Sequence, residues 1–223
     1  MLIRSSLAVA GMVAVGLLTA AGSGDSAPLV PQGQMARGVK VTFEAIRGDK
    51  ERHSQRARLL SLAVERGETP TPYLPVGAFR ATYETVVTLP ARDRMNFHID
   101  GRGKAKLSIN GKVILQGSMS ARRSLETDKV VRLKKGGNDV KLEFESAARG
   151  DGQMRLFWSG RDFGFEPVAP ELLSFVASDD EVVQGEQLRF GHTLFAERRC
   201  ARCHDYDRLR IAESAYLELA RSG

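Results

Sequence analysis

From residue 39 to residue 158 the apolar side chains return at every second position. That period commits most of the chain to strands with one packed face and one wet face. Val39, Val41 and Phe43 alternate, as do Phe79, Ala81, Tyr83, Thr85, Val87 and Leu89. Met95, Phe97 and Ile99 follow, then Leu107 and Ile109, the dipeptide Asn110-Gly111, and Val113 and Leu115. Asn-Gly between alternating runs marks a hairpin, because both residues accept positive φ. Val131 and Leu133 lead through Gly136-Gly137-Asn138 to Val140, Leu142 and Phe144, and Met154, Leu156 and Trp158 close the series. About seven such strands separated by turns predict a mainly β chain, an antiparallel β-sandwich, with Trp158 as a core anchor.

One stretch breaks the alternation. Arg47, Arg52, Arg56, Arg58 and Arg66 surround Leu59, Leu60, Leu62 and Val64. This spacing predicts a short amphipathic helix over 54–66, ended by Gly67 and the prolines Pro70 and Pro72. The acids Glu51, Glu65 and Glu68 make it a solvated face rather than a nucleic-acid surface. The net charge of +6 is spread along the chain and argues for solubility and an acidic partner, not for a fold.

Beyond the strands, Ala177-Ser178-Asp179-Asp180 supplies a linker (176–184) and a helix N-cap. Helical spacing then puts Leu188, Gly191, Leu194 and Phe195 on one side, with His192 facing solvent. The helix runs into Cys200-Ala201-Arg202-Cys203-His204, which holds both cysteines of the chain. Two thiols at this spacing fit the two vinyl groups of a haem, and the adjacent imidazole can ligate its iron. A thioredoxin-like dithiol would follow a strand rather than a helix, and a zinc site would need about four ligands where only His204 and His192 are near. At the other end, Arg4, an apolar run and Thr19-Ala20-Ala21 form a signal peptide over 1–21, with the cut as late as Ala27. The chain is therefore expected to be exported, periplasmic or at the cell surface, with no membrane span after cleavage.

Two resemblances sharpen these expectations. Residues 39–175 resemble the protective-antigen-type β-sandwich domain. The matching segments are Arg94-Met95-Asn96-Phe97-His98-Ile99-Asp100-Gly101, Lys106-Leu107-Ser108-Ile109-Asn110-Gly111-Lys112, Val131-Arg132-Leu133-Lys134-Lys135-Gly136, Leu156-Phe157-Trp158-Ser159 and Glu166-Pro167-Val168-Ala169-Pro170. The resemblance implies carbohydrate as a partner, held in some members through calcium on two neighbouring aspartates. Here the corresponding loop is Asp100-Gly101-Arg102-Gly103-Lys104, whose single carboxylate among cations does not suit calcium. Residues 185–223 resemble the start of a class I cytochrome c domain. That implies covalent haem c on Cys200 and Cys203, His204 as the iron ligand, and close helix crossing through Gly191 and Phe195. Residues 205–223 contain no methionine to complete the haem site, so this segment is expected to be incomplete.

The leading expectation is thus an exported cytochrome-like electron carrier with a redox protein partner, more an electron-transfer protein than an enzyme, fused to a β-sandwich. The alternative is an extracytoplasmic carbohydrate- or protein-binding module whose haem segment does not function. No nucleophile–base set, carboxylate pair or phosphate loop points to catalysis.

Overall fold

The computed structural model describes residues 35–48 and 51–200, so the leader at 1–21 and the chain from Ala201 onward lie outside it. The described chain is mainly antiparallel β. Its strands are β1 (Met35–Arg37), β2 (Val39–Ala45), β3 (Arg52–Ala57), β4 (Ser61–Val64), β5 (Phe79–Leu89), β6 (Asp93–Ile109) and β7 (Lys112–Met119). Then come β8 (Leu125–Glu126), β9 (Val131–Leu133), β10 (Gly136–Glu145), β11 (Gly152–Ser159), β12 (Glu166–Pro167), β13 (Leu173–Val176) and the helix α1 (Asp180–Glu197).

The alternation places the core as predicted. Val39, Val41, Phe43, Phe79, Ala81, Tyr83, Phe97, Ile99, Leu107, Leu142, Phe144, Met154, Leu156 and Trp158 are all buried in one cluster. Val113 is the exception and is exposed. The turn before it has the expected positive φ at Asn110 and Gly111. A bulge then shifts the pairing between β6 and β7, so that Val113 stands opposite Ser108 on the wet face and Leu115 recovers the core. Asn138, expected in a turn, lies inside β10 and is fully buried. Its amide donates to the carbonyls of Lys134 (2.9 Å) and Gly136 (3.1 Å), and its oxygen accepts from the Lys134 N–H (3.0 Å) and Asn110 Nδ2 (3.1 Å). One amide thereby fastens two turns at the same end of the sheet.

β6 serves both layers. Its residues 96–102 pair with β11 and its residues 104–109 pair with β10. Between them the chain bends at Gly101 (φ 140°) and Gly103 (φ 138°). A Cβ on Gly101 would strike the Gln153 carbonyl, and one on Gly103 would come within 2.5 Å of the Phe144 ring. Asp100-Gly101-Arg102-Gly103-Lys104 is therefore a bend inside a strand, not the predicted loop. Tyr83 adds a second tie, donating from β5 to the Ser61 carbonyl in β4 (3.1 Å).

Residues 54–66 are not a helix. They pair as β3 against β2 and as β4 against β11, with Leu60 and Val64 buried. A short apolar run is ambiguous between the two periods, and here the available sheet edges decide.

The helix after the linker is present, but its packing differs from expectation. Asp179 caps it, accepting from the Val182 N–H (3.2 Å). Its buried residues are Val182 and Gly185, while Leu188, Gly191 and Leu194 are exposed. The close approach is made by Gly185, where a Cβ would strike the Ser54 carbonyl, and nothing described lies within 4 Å of a Cβ on Gly191. Lys40 reaches Asp179 (2.6 Å) and Glu181 (3.0 Å), and Arg52 reaches Glu181 (3.0 Å). This single helix is seated on β3 of the sandwich, and the described residues show no cytochrome c segment.

Two stability tests follow from these contacts. Gly103→Ala should cost about 3 kcal/mol through crowding and positive φ, against about 1 kcal/mol for Gly111→Ala, which meets only the φ penalty. Denaturant unfolding of both variants checks the difference. For Asp179, burial pushes the carboxyl up, but hydrogen bonds from Lys40 and the Val182 N–H outweigh it and hold it below its ordinary value. The stabilisation from Asp179 is therefore complete above its unfolded value and disappears as pH falls through the lower folded one. Asp179→Ala should cost about 1 kcal/mol at neutral pH and nothing extra once pH is well below about 4, as unfolding curves at the two pH values would show.

Candidate ligand-binding face

Pairing of β6 with β11 sets which side chains share a face. Phe97, Ile99, Leu156 and Trp158 point to the core, so His98, Asp100, Arg155 and Phe157 point out. Asp100 stands opposite Arg155, and His98 stands opposite Phe157 on one side and Glu126 on the other. Arg155 grips Asp100 with a two-pronged fork, Nε donating to Oδ1 (3.0 Å) and Nη2 to Oδ2 (3.1 Å). Its guanidinium carbon also lies 5.9 Å from the centre of the Phe157 ring.

Three rings gather beside this fork. His98 lies 6.1 Å from Phe157 and 5.1 Å from Phe165, which the turn before β12 carries and which is 46% exposed. His98 Nδ1 is buried without a hydrogen-bond partner and stands 3.9 Å from the Glu126 carboxylate, too far to bond. Flat apolar rings next to oriented donors and acceptors suit a ligand with one apolar face and a rim of hydroxyls. Arg94 and Arg132 stand directly opposite each other on the neighbouring β6–β9 rungs, and Arg102 lies just beyond Asp100. Among the described residues none of these three arginines makes an ion pair.

An open groove of about 540 Å³ crosses the outer side of the other layer, with Met35, Val86, Val140 and Phe175 among its lining. Its charges largely satisfy one another, Lys106 with Glu143 (3.0 Å) and Lys40 with Asp179, so it offers a ligand less.

Of the residues proposed from sequence, Cys200 is a half-buried free thiol just beyond α1, while Cys203 and His204 lie outside the described residues. His192, expected to face solvent, instead sets its ring edge against Tyr73 with Nε2 buried. No three described His, Cys, Asp or Glu side chains are grouped to hold a metal ion. Sequence reasoning did not single out His98, Arg155, Phe157 or Phe165. The available signal was the outward phase of β6 and β11, which carries rings and charges where small polar residues would suffice.

No family model matches the chain, and no curated protein matches it in sequence. Solved structures do. An anti-sigma factor domain-containing protein superposes with a TM-score of 0.51 at 19% identity, covering 65% of this chain, which spans about half of that protein (49%). The epithelial adhesin 9 A domain of Candida glabrata, in complex with Galβ1-3GlcNAc, superposes at 0.50 and 9% identity over 68% of this chain and 95% of its own. The PA14 domain of the antifreeze protein MpAFP gives 0.47 at 11% identity over 69% and 96%. These likenesses concern the fold.

They also correct the leading expectation. Similarity runs to β-sandwich proteins and nothing points to a cytochrome c domain, so the fusion with a cytochrome, its haem and its redox partner lose their support. The motif's spacing is a local signal, whereas a haem domain requires helices packed around the porphyrin. The described helix instead packs on β3.

If this face is a surface and not part of the core, the two kinds of aromatic residue should respond differently. Phe165→Ala should change stability by less than about 0.5 kcal/mol, whereas Trp158→Ala should cost about 3–5 kcal/mol. Thermal unfolding of the two variants compares them directly.

Proposed function

We propose that this chain is an extracytoplasmic carbohydrate-binding module that holds a glycan on the outer face of β6 and β11. The observation that carries this reading is the constellation of Phe157, His98 and Phe165 beside the Arg155–Asp100 fork. A sugar ring would lie on the aromatic side chains, and its hydroxyls would meet a carboxylate and guanidinium already fixed against each other. Little side-chain entropy remains to be lost on binding at such a fork. The adhesin domain that shares the fold is recorded with a bound galactoside, which supports the ligand class without transferring its binding residues. The leader-like first 21 residues support export, and among the described residues no helix is long and apolar enough to cross a membrane. The unpaired Arg94, Arg102 and Arg132 favour acidic glycans, since a carboxylate or sulfate group can take two guanidinium N–H bonds at once.

Binding of the full chain to an array of neutral, uronic-acid and sulfated polysaccharides tests this. Retention is expected, strongest on the acidic members and weakened by salt. It should fall about tenfold or more in Phe165→Ala and in Arg155→Ala, a loss of about 1.4 kcal/mol, without a matching fall in unfolding midpoint. Absence of retention on every glycan, or retention that both variants keep, would overturn the proposal.

A further inference from the structure

Away from the ligand-binding face, three polar rings meet where α1 lies against the sandwich. His53 on β3 is 5% exposed, and its ring centre is 4.3 Å from that of Tyr73. Tyr73 in turn meets the His192 ring of α1 edge-on at 6.3 Å. His53 Nε2, Tyr73 Oη and His192 Nε2 are each shut away from solvent with no hydrogen-bond partner. Buried polar atoms normally find partners, so three orphans in one seam mark a place tuned for something other than maximal stability. The seam matters structurally because, among the described residues, β3 pairs with β2 alone, and α1 covers its other edge. Gly185 lies against the Ser54 carbonyl, and Glu186 Oε1 accepts from the Arg56 N–H (3.0 Å).

We propose that α1 is an acid-released latch, docked while His53 is neutral and let go when it takes up a proton. A neutral imidazole can sit in this seam with one orphaned nitrogen. A protonated one would bring a second N–H and a full charge into a buried place where no carboxylate is free to pair with it. From α1 the imidazole of His53 faces Glu186 and Arg189, and from the 65–78 segment it faces Tyr73, whose ring also meets His192. Its own strand adds Gln55, and β2 offers only the apolar Val41, Phe43 and Ala45 on that side. Glu186, the one acid in this set, is already engaged by the Arg56 N–H and by Arg189 (2.9 Å). Burial holds the His53 imidazole below its ordinary value. Hydrogen bonding to Gln55 and the charge of Glu186 pull it upward, and the charge of Arg189 pushes it further down.

The sign follows from these shifts. An undocked His53 regains its ordinary affinity for protons, so between the docked and free values the undocked form binds more of them. Acid therefore favours release, and docking is complete only above about pH 6.5. The ion pair of Lys40 with Asp179 titrates outside this window, since Lys40 is raised from a value already above 10 and Asp179 is lowered. Release would bare the β3 edge and the side chain of Val182, a surface ready to pair with another extended segment.

Hydrogen exchange of the full chain tests the latch. Between about pH 7.5 and about pH 5.5, and after correction for intrinsic rates, α1 amides should lose protection by about tenfold or more relative to β10 amides, a titration of at least one proton. His53→Gln should abolish that difference while the β10 amides remain protected. The His53 imidazole resonances of the unaltered protein give an independent reading. The latch is wrong if α1 and β10 keep the same protection ratio across the range, or if His53→Gln retains the acid response. It is equally wrong if the His53 imidazole titrates at an ordinary value while α1 stays protected.

Discussion

The two layers of this protein share a strand, and that sharing governs most of what lies around it. β6 pairs with β11 through one half and with β10 through the other, so backbone hydrogen bonds tie the layers as well as side-chain packing. The chain can pass between them only where two residues accept positive φ and leave room for neighbouring atoms. Gly101 and Gly103 meet both conditions against Gln153 and Phe144. Asp100 sits one residue before this crossing, so its place opposite Arg155 is set by the backbone ladder rather than by a mobile loop.

That placement explains why the outer face of β6 and β11 is suited to recognition. Every second residue is committed to the core, so the outward set is rigid by construction. The fork of Arg155 on Asp100 and the gathering of His98, Phe157 and Phe165 therefore require no ordering step of their own. The layer that carries β3 and α1 behaves differently. There Lys40, Asp179, Arg52 and Glu181 hold a helix against a sheet edge, and an unsatisfied seam of His53, Tyr73 and His192 lies underneath. One side of the molecule is fixed, and the other seats its helix over buried polar atoms that have no hydrogen-bond partner.

Much of this was legible in the chain because burial of one face imposes a period of two. Val39 through Phe43, Phe79 through Leu89 and Met154 through Trp158 all fall where alternation puts them, and Asn110-Gly111 forms its turn because its residues tolerate the required φ. Val113 escaped because a bulge changes phase without leaving a mark in the residue pattern. Residues 54–66 read as a helix from sequence because Leu59, Leu60, Leu62 and Val64 satisfy either period, and only the burial of positions 60, 62 and 64 against exposed 59, 61 and 63 separates the two. The cytochrome fusion was overturned for a related reason. Cys200, Cys203 and His204 satisfy a local rule, but a cofactor domain is a property of surrounding packing, and the helix that leads to them rests on β3.

The sequence by itself determined the class of structure and its inward face, since hydrophobic burial acts on each strand through neighbours two residues apart. It also determined where α1 begins, because the cap at Asp179 is a local hydrogen bond. Only the tertiary structure decided which outward residues meet. Asp100 and Arg155 are 55 residues apart in the chain, and Tyr73 is met by His53 from β3 and by His192 from α1. Such meetings depend on strand register and on which sheet edge a helix covers, and both are settled by long-range pairing energies that no local window of residues contains.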